Sequence, residues 1–278
     1  MGDLAVDTAL ERVGENRFRA SLSRAWEIWG PMGGYVAALA LRAAGAQTPF
    51  ARPASFFCQY LRVAAFEPVD IRVAVEREAR TAHAHRVEVS QAGRLILSAQ
   101  VWSVAAVDGL EHHVAPAPAV PAPEQLQPVE ELVQDAPPPY PFWSNVESRP
   151  VEFSVEWPPA GALPPVWQTW ARLRPTATFD DPWVDAARSV ILVDVQSWPA
   201  AHRHHAWREP PYIAPSLDLY VAFHEPAPED PWLLADGYSP VAADGLIGWT
   251  GRLWSGMRRL VASGGGQLLC RPTGEPPG

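Results

Sequence analysis

The chain has 278 residues, 47% hydrophobic and 10% aromatic, with a net charge of −9, a composition that folds into one large globular domain or two of ordinary size. An acidic balance of this size argues against a nucleic-acid partner, which needs a concentrated basic face. All 22 basic residues are arginine; without lysine there is no Schiff base, no pyridoxal phosphate anchor and no P-loop, whereas arginine suits the phosphates of a nucleotide-like ligand.

The opening stretch MGDLAVDTALERVGENRF has neither the basic start nor the apolar centre of a signal peptide. No apolar run reaches the roughly 18 residues that span a bilayer, so a cytoplasmic protein with no membrane segment is expected. A strand is predicted over 17–28, and Gly33-Gly34 precede apolar residues at helical spacing, predicting a helix over 33–46. Strands follow near 54–64, 69–79, 83–91 and 94–104. His83 and His85 alternate along the third of these and are expected on an exposed face. Cys58 and Cys270 lie far apart without CxxC spacing and read as core thiols rather than a disulfide or zinc knuckle.

Residues 104–165 carry a proline-rich belt, including APAPAVPAPEQLQP, that forms neither central strands nor helix interiors because proline lacks the amide donor and fixes φ. The predicted organisation is therefore an N-terminal domain over 1–104, a connecting segment over 105–165 and a C-terminal domain over 166–278. In the last, a strand is predicted over 166–174. A helix over 182–198 has Asp181 as N-cap and Pro182 at N1. The HRHH run at 202–205 reads as a solvated loop with no carboxylate or cysteine at ligand spacing, so no metal is expected. Strands near 213–224, 231–241, 246–256 and 259–270 complete the pattern. Asp218 stands out in APSLDLYVAFHEP, because a carboxylate in a buried strand costs several kcal/mol unless it is paired or used.

The two halves resemble each other. A shift of 149 residues lays 26–41 over 175–190 with Gly33 on Pro182, and a shift of 165 lays 85–98 over 250–263 with five identities or similarities. Two matches in the same order predict an internal duplication. Each copy is a strand, one long apolar helix and then consecutive strands, which is α+β: a curved antiparallel sheet wrapped around a helix that needs cover on most sides.

Three stretches are similar to a known family: WGPMGGYVAALALRAA (29–44), ASFFCQYLR (54–62), and SLDLYVAFHEP with WLLADGYSP and RLVASGGGQLLCRP. Together they resemble the type II (TesB-like) acyl-CoA thioesterases, which implies a double hotdog fold, a hydrolase of lipid metabolism acting on acyl-CoA without a cofactor, and further association into a homo-oligomer. The same resemblance places the family's catalytic aspartate on Asp218, its glutamine on Gln267 and its hydroxyl residue near Ser239. Two departures stand in the pattern. The family threonine falls closest to Pro240, and Gln267 comes one residue late after a GGG run (264–266) that suggests a bulge.

Thioester hydrolysis needs an activated water and a place for charge on the carbonyl oxygen. A partly buried carboxylate at Asp218 suits the base, Gln267 and Ser239 an orienting network, and the helix opening at Gly33, Gly34 and Tyr35 an oxyanion site of backbone N–H groups. Two alternatives use the same residues. An acyl-CoA hydratase would pair Asp218 with His224, six positions apart on one strand face; a non-catalytic acyl-CoA or lipid-binding protein would keep the fold alone. No GxSxG, HExxH or strand-linked GxGxxG occurs.

Overall fold

The computed structural model describes residues 1–134, 138–154, 161–205 and 212–273. The predicted connecting segment includes 135–137 and 155–160, and the predicted C-terminal domain includes 206–211 and 274–278; these lie outside the described residues. The helices are α1 (Leu4–Asp7), α2 (Gly33–Gly45), α3 (Val129–Leu132), α4 (Pro182–Asp194) and α5 (Ser197–His202). The first-half strands are β1 (Glu11–Gly14), β2 (Arg17–Ser21), β3 (Arg52–Tyr60), β4 (Pro68–Glu78), β5 (Ala82–Gln91) and β6 (Arg94–Val104). After them come β7 (Val146–Pro150), β8 (Val166–Leu173), β9 (Tyr212–Ile213), β10 (Asp218–Phe223), β11 (Leu233–Ala243), β12 (Leu246–Trp254), β13 (Leu260–Leu269) and β14 (Arg271–Pro272).

Twelve strands form one antiparallel sheet in the order β1-β2-β4-β5-β6-β3-β10-β13-β12-β11-β8-β7. From β2 inward the first half runs first, third, fourth, fifth, second strand, and from β8 inward the second half runs the same. The halves join where β3 pairs with β10, from Asp218 opposite Gln59 to Ala222 opposite Ser55. This is the double hotdog expected, two sheets continuous across a central seam. The connecting segment is not a passive tether. Its β7 adds to the edge of the second half, and its proline belt lies over Trp170 and Trp254, with Trp170 Nε1 donating to Pro121 O at 2.9 Å.

Helices α2 and α4 start and end at the same offset of 149, as the duplication predicts. Asp181 caps α4 by accepting from Trp183 N at 2.8 Å, with Pro182 in the first turn. Ten of the residues of α2 are buried, many of them alanine, so the helices pack closely side by side. They run antiparallel. A Cβ on Gly34, at the start of α2, would stand 3.1 Å from the Ile191 Cα and from Asp194 at the end of α4. A Cβ on Gly45, at the end of α2, would stand 2.3 Å from the Trp183 ring at the start of α4. Both helices pack against the inward side chains of the sheet, among them Phe56, Cys58, Val69, Ile71, Val87, Val89, Leu97 and Ala99 in the first half.

Four local expectations are corrected. The strand foreseen over 17–28 ends at Ser21, because Ser23 Oγ accepts from Ala25 N at 3.3 Å and starts a 3-10 turn that buries Trp26 against Tyr35. The helix foreseen to 198 stops at Asp194 and restarts as α5. His83 and His85 are buried, His85 being 1% exposed, and burial pulls the His85 pKa down. His202 belongs to α5 rather than a solvated loop: it stacks on Trp198 at 4.9 Å, and burial lowers its pKa to about 4.

Candidate active site

A cleft of about 430 Å³ opens at the N-terminus of α2. Its wall is apolar and aromatic: Ile28, Trp29, Met32, Val36, Leu61, Ile96, Trp143, Trp198 and Ile213 line it. Such a wall takes an acyl group out of water at roughly 0.8 kcal/mol per CH₂. At the mouth Trp29 is half exposed and held at a φ of 53°, left-handed backbone that a bulky residue rarely adopts.

Three polar groups meet at the inner end, around Gly33. Gly33 lines the cleft, and its N–H has no acceptor among the described residues. A Cβ there would lie 3.2 Å from Tyr60 Oη and 3.4 Å from Asp194 Oδ2, so the bare glycine is what leaves room between them. Asp194, only 6% exposed, accepts from Gly34 N at 2.7 Å through Oδ2, while its Oδ1 is buried with no hydrogen-bond partner. Burial pushes its pKa up to about 6, the Gly34 N–H opposing. Tyr60 Oη is also buried, beside the Cys58 thiol but with no well-formed hydrogen bond, and burial pushes its pKa well above the ordinary phenol value, with Cys58 and Asp194 adding to the shift. Neither Asp194 nor Tyr60 is among the residues singled out from the sequence.

The residues that are take different places. Tyr35 is buried away from the cleft, its ring stacked on Trp26, its hydroxyl donating to Asp7 O at 2.8 Å and its N–H to Met32 O at 3.1 Å. Gly34 spends its N–H on Asp194. Asp218 adjoins the cleft through Leu217, which lines it. Ser216 pairs with Leu268 whereas Tyr220 pairs with Gly265, so β10 enters the sheet with one extra residue, a bulge. The Leu217 carbonyl is turned to Tyr60 N at 2.9 Å, and Gln267 N donates instead to Asp218 Oδ1 at 2.9 Å. Gln267 thus meets Asp218 through its backbone, while its side chain lies against Gly248 on β12 with Oε1 unpartnered. Ser239 follows in the same row across the sheet, its Oγ donating to Gly248 O at 2.9 Å. His224 lies beyond the other end of β10, some 20 Å along the strand at about 3.3 Å per residue. Its Nε2 is 2.8 Å from Ser263 Oγ, so it does not converge with Asp218 on one ligand.

The bulge expected at the GGG run is not there: β13 pairs with β12 in one register from Ala262 to Leu269, and the extra residue lies on β10 instead. A Cβ on Gly264 would meet Tyr220 O at 2.1 Å, on Gly265 Trp249 O at 2.4 Å, and on Gly266 Asp218 O at 2.4 Å and Asp218 Oδ1 at 2.9 Å. No side chain fits at any of the three without moving a neighbouring backbone.

Comparison with known proteins identifies the family and the fold. Residues 22–104 match the acyl-CoA thioesterase N-terminal domain and residues 113–267 the acyl-CoA thioesterase C-terminal domain. Among solved structures, the acyl-CoA thioesterase II TesB2 of Mycobacterium marinum is 25% identical, with a TM-score of 0.80 over 98% of this chain and 99% of that one. The tesB protein of Mycobacterium avium subs paratuberculosis is 24% identical, with a TM-score of 0.76 over 97% and 98%. A conserved hot dog fold protein of unknown function from Alicyclobacillus acidocaldarius is 21% identical, with a TM-score of 0.78 over 96% and 97%. No curated protein matches the chain. No helix among the described residues is long and apolar enough to cross a membrane. With both halves matched in order, and with an apolar cleft ending at a glycine-opened helix, the chain belongs to the acyl-CoA thioesterase family and is a thioester hydrolase.

Proposed function

We propose that the cleft is where an acyl-CoA thioester is hydrolysed by water that Asp218 activates. The observation that carries this reading is the Gly33 N–H, at the positive end of a buried helix, without an acceptor among the described residues and inside an apolar cleft. The acyl chain occupies the cleft and the thioester carbonyl oxygen meets Gly33. Arg62, exposed among the lining residues, would meet the phosphates of CoA. Water adds to the carbonyl carbon and its proton passes to Asp218. The C–S bond then breaks and the proton returns to the departing thiolate, leaving acid and CoA. Gln267 and Ser239 orient the Asp218 end of the row.

The same reading puts the enzyme in the cytoplasm, in lipid metabolism, as a homo-oligomer. Trp102 and Tyr220 stand exposed on the sheet face turned from the helices and offer an apolar patch for a second copy. Light scattering at micromolar concentration should give more than the 30.4 kDa of one chain.

Free-thiol release measured across acyl-CoA chain lengths tests the reaction. Asp218→Asn should lower the rate by roughly 10²-fold or more with the fold retained, since the amide keeps the shape but takes no proton. Gln267→Ala should cost less and Ser239→Ala least, because the Ser239 hydroxyl is already spent on Gly248 O. Acyl-CoA binding without thiol release at any chain length, unaltered by Asp218→Asn, would make the protein a binding module.

A further inference from the structure

The space over Gly33 holds more polar groups than hydrolysis by Asp218 uses. Asp194 arrives from the end of α4, Tyr60 from the end of β3, and each carries a buried oxygen with no well-formed hydrogen bond beside a cleft whose lining is mostly apolar. Unmade hydrogen bonds of this kind cost about 1–3 kcal/mol each, so two within reach of one glycine point to a ligand atom that completes them. Resting on the reading of the cleft as a thioesterase site, we propose that Asp194 in its protonated form and the Tyr60 hydroxyl are oxyanion donors: with the Gly33 N–H they hold the thioester carbonyl oxygen as it gains charge.

The geometry fixes which oxygen does what. Oδ2 of Asp194 is committed to Gly34 N at 2.7 Å, which leaves the unpartnered Oδ1 as the atom to carry the proton and donate it in a hydrogen bond to the ligand. An ionised Asp194 would oppose a developing oxyanion beside Gly33, whereas the acid donates to it. The surroundings favour the acid. α2 presents the N–H groups of Gly33 and Gly34 and no charged side chain, and α5 presents Ser197, whose hydroxyl donates to the Asp194 backbone carbonyl at 2.9 Å. From β3 come the Cys58 thiol and the Tyr60 phenol, both with pKa values raised by burial, and the Asp218 carboxylate of β10 acts on those two. No cation pairs with Asp194 among the described residues. Burial, against the Gly34 N–H, lifts it to about 6, and an acyl chain that expels water from the cleft lifts it further. Tyr60, pushed above its ordinary value, stays a donor throughout.

The sign follows. The donor form is lost as pH rises through the raised pKa, so kcat/KM should have an alkaline limb with a midpoint near 6 in the free enzyme, falling about tenfold per unit beyond it. Asp194→Asn presents a neutral N–H donor that cannot ionise and still accepts from Gly34. It should keep activity within a few-fold at the acid optimum and lose the alkaline limb. Asp194→Ala and Tyr60→Phe should each lower kcat by about 10²-fold. A second readout is the affinity for a CoA ketone analogue in which CH₂ replaces the thioester sulfur. It should weaken as pH rises above 6 for the wild type and stay flat for Asp194→Asn. A folded Asp194→Asn as inactive as Asp194→Ala would make Asp194 a base and overturn the proposal. An active Asp194→Asn with the wild-type pH limb would reduce Asp194 to a cap for α2 and overturn it too. Wild-type protein that binds the ketone with this pH dependence but releases no thiol would sink the hydrolytic reading and leave the donor assignment standing; pH-independent ketone binding would sink the donor assignment.

Discussion

Arg188→Met should destabilise the fold by about 3–5 kcal/mol, the cost of leaving a buried charge without its partner. Arg188 is 1% exposed in the middle of α4. Its guanidinium donates to Asp185 on the same helix face and to the carbonyls of Ala177, Ala227 and Asp230 at 2.8, 2.7 and 2.6 Å. Asp185 returns the tie, its Oδ2 accepting from Ala227 N at 3.1 Å. One side chain thus fastens α4 to the segment before it and to the turn after β10. Methionine fills the volume but takes the Arg188 donors from Asp185 Oδ1 and from the three carbonyls, leaving the carboxylate with Ala227 N alone. Burial already pulls the Arg188 pKa down, so the pair depends on mutual contact rather than solvation, and added salt should screen it little. Urea unfolding followed by circular dichroism should show a lower midpoint at an unchanged slope. Restoring most of the loss by adding Asp185→Leu would place the penalty on the orphaned carboxylate; a loss below about 1 kcal/mol in the single variant would contradict the account.

Gly264→Ala should cost about 3 kcal/mol or more, because the added methyl has nowhere to go. The atom it meets at 2.1 Å is the carbonyl oxygen of Tyr220, part of the β10 backbone, and Val193 Cγ1 stands at 2.9 Å on the helix side. Neither is the loose end of a long side chain. Relief requires β10 to part from β13, and β10 is the strand by which the second half joins the first. Gly109→Ala is the control: its Cβ would have nothing within 4 Å, so stability should stay within about 0.5 kcal/mol. Gly266→Ala should combine both kinds of damage, since its methyl meets the Asp218 backbone and carboxylate, and activity should fall alongside stability.

The helix starts were legible in the sequence because local chemistry decides them: Gly33-Gly34 in one copy, Asp181-Pro182 in the other. The family and the double hotdog were legible from ordered motifs. His83 and His85 were misplaced although the signal was present, for they share the parity of Val87 and Val89, the buried face of the strand. Asp194 escapes a reading of the sequence for a related reason. Alone among VILVDV it carries charge, the same anomaly that singled out Asp218, but it stands at the last turn of an apolar helix that reads as core. The neighbours that give it meaning, Gly34 and Tyr60, are 160 and 134 residues away, and only the packing of α4 against α2 and β3 brings them together. The bulge at Leu217-Asp218 was not legible either, since it is set by register between strands.

The antiparallel pairing of α2 and α4 creates two equivalent junctions, each the start of one helix against the end of the other. Two identical units related by a twofold axis would have to build both junctions alike. Fusion removes that obligation, and the copies have divided the labour. Where Gly33 and Gly34 meet Asp194 the junction is open to the cleft; where Trp183 meets Gly45 an indole fills it, anchored by Nε1 to Phe50 O at 3.2 Å. The filled junction has become a fastening, free to be optimised for packing because no ligand passes through it. The open one is free to hold unsatisfied polar groups that a symmetric pair would have to carry twice. The chain should accordingly bind one acyl group where two equal units would bind two.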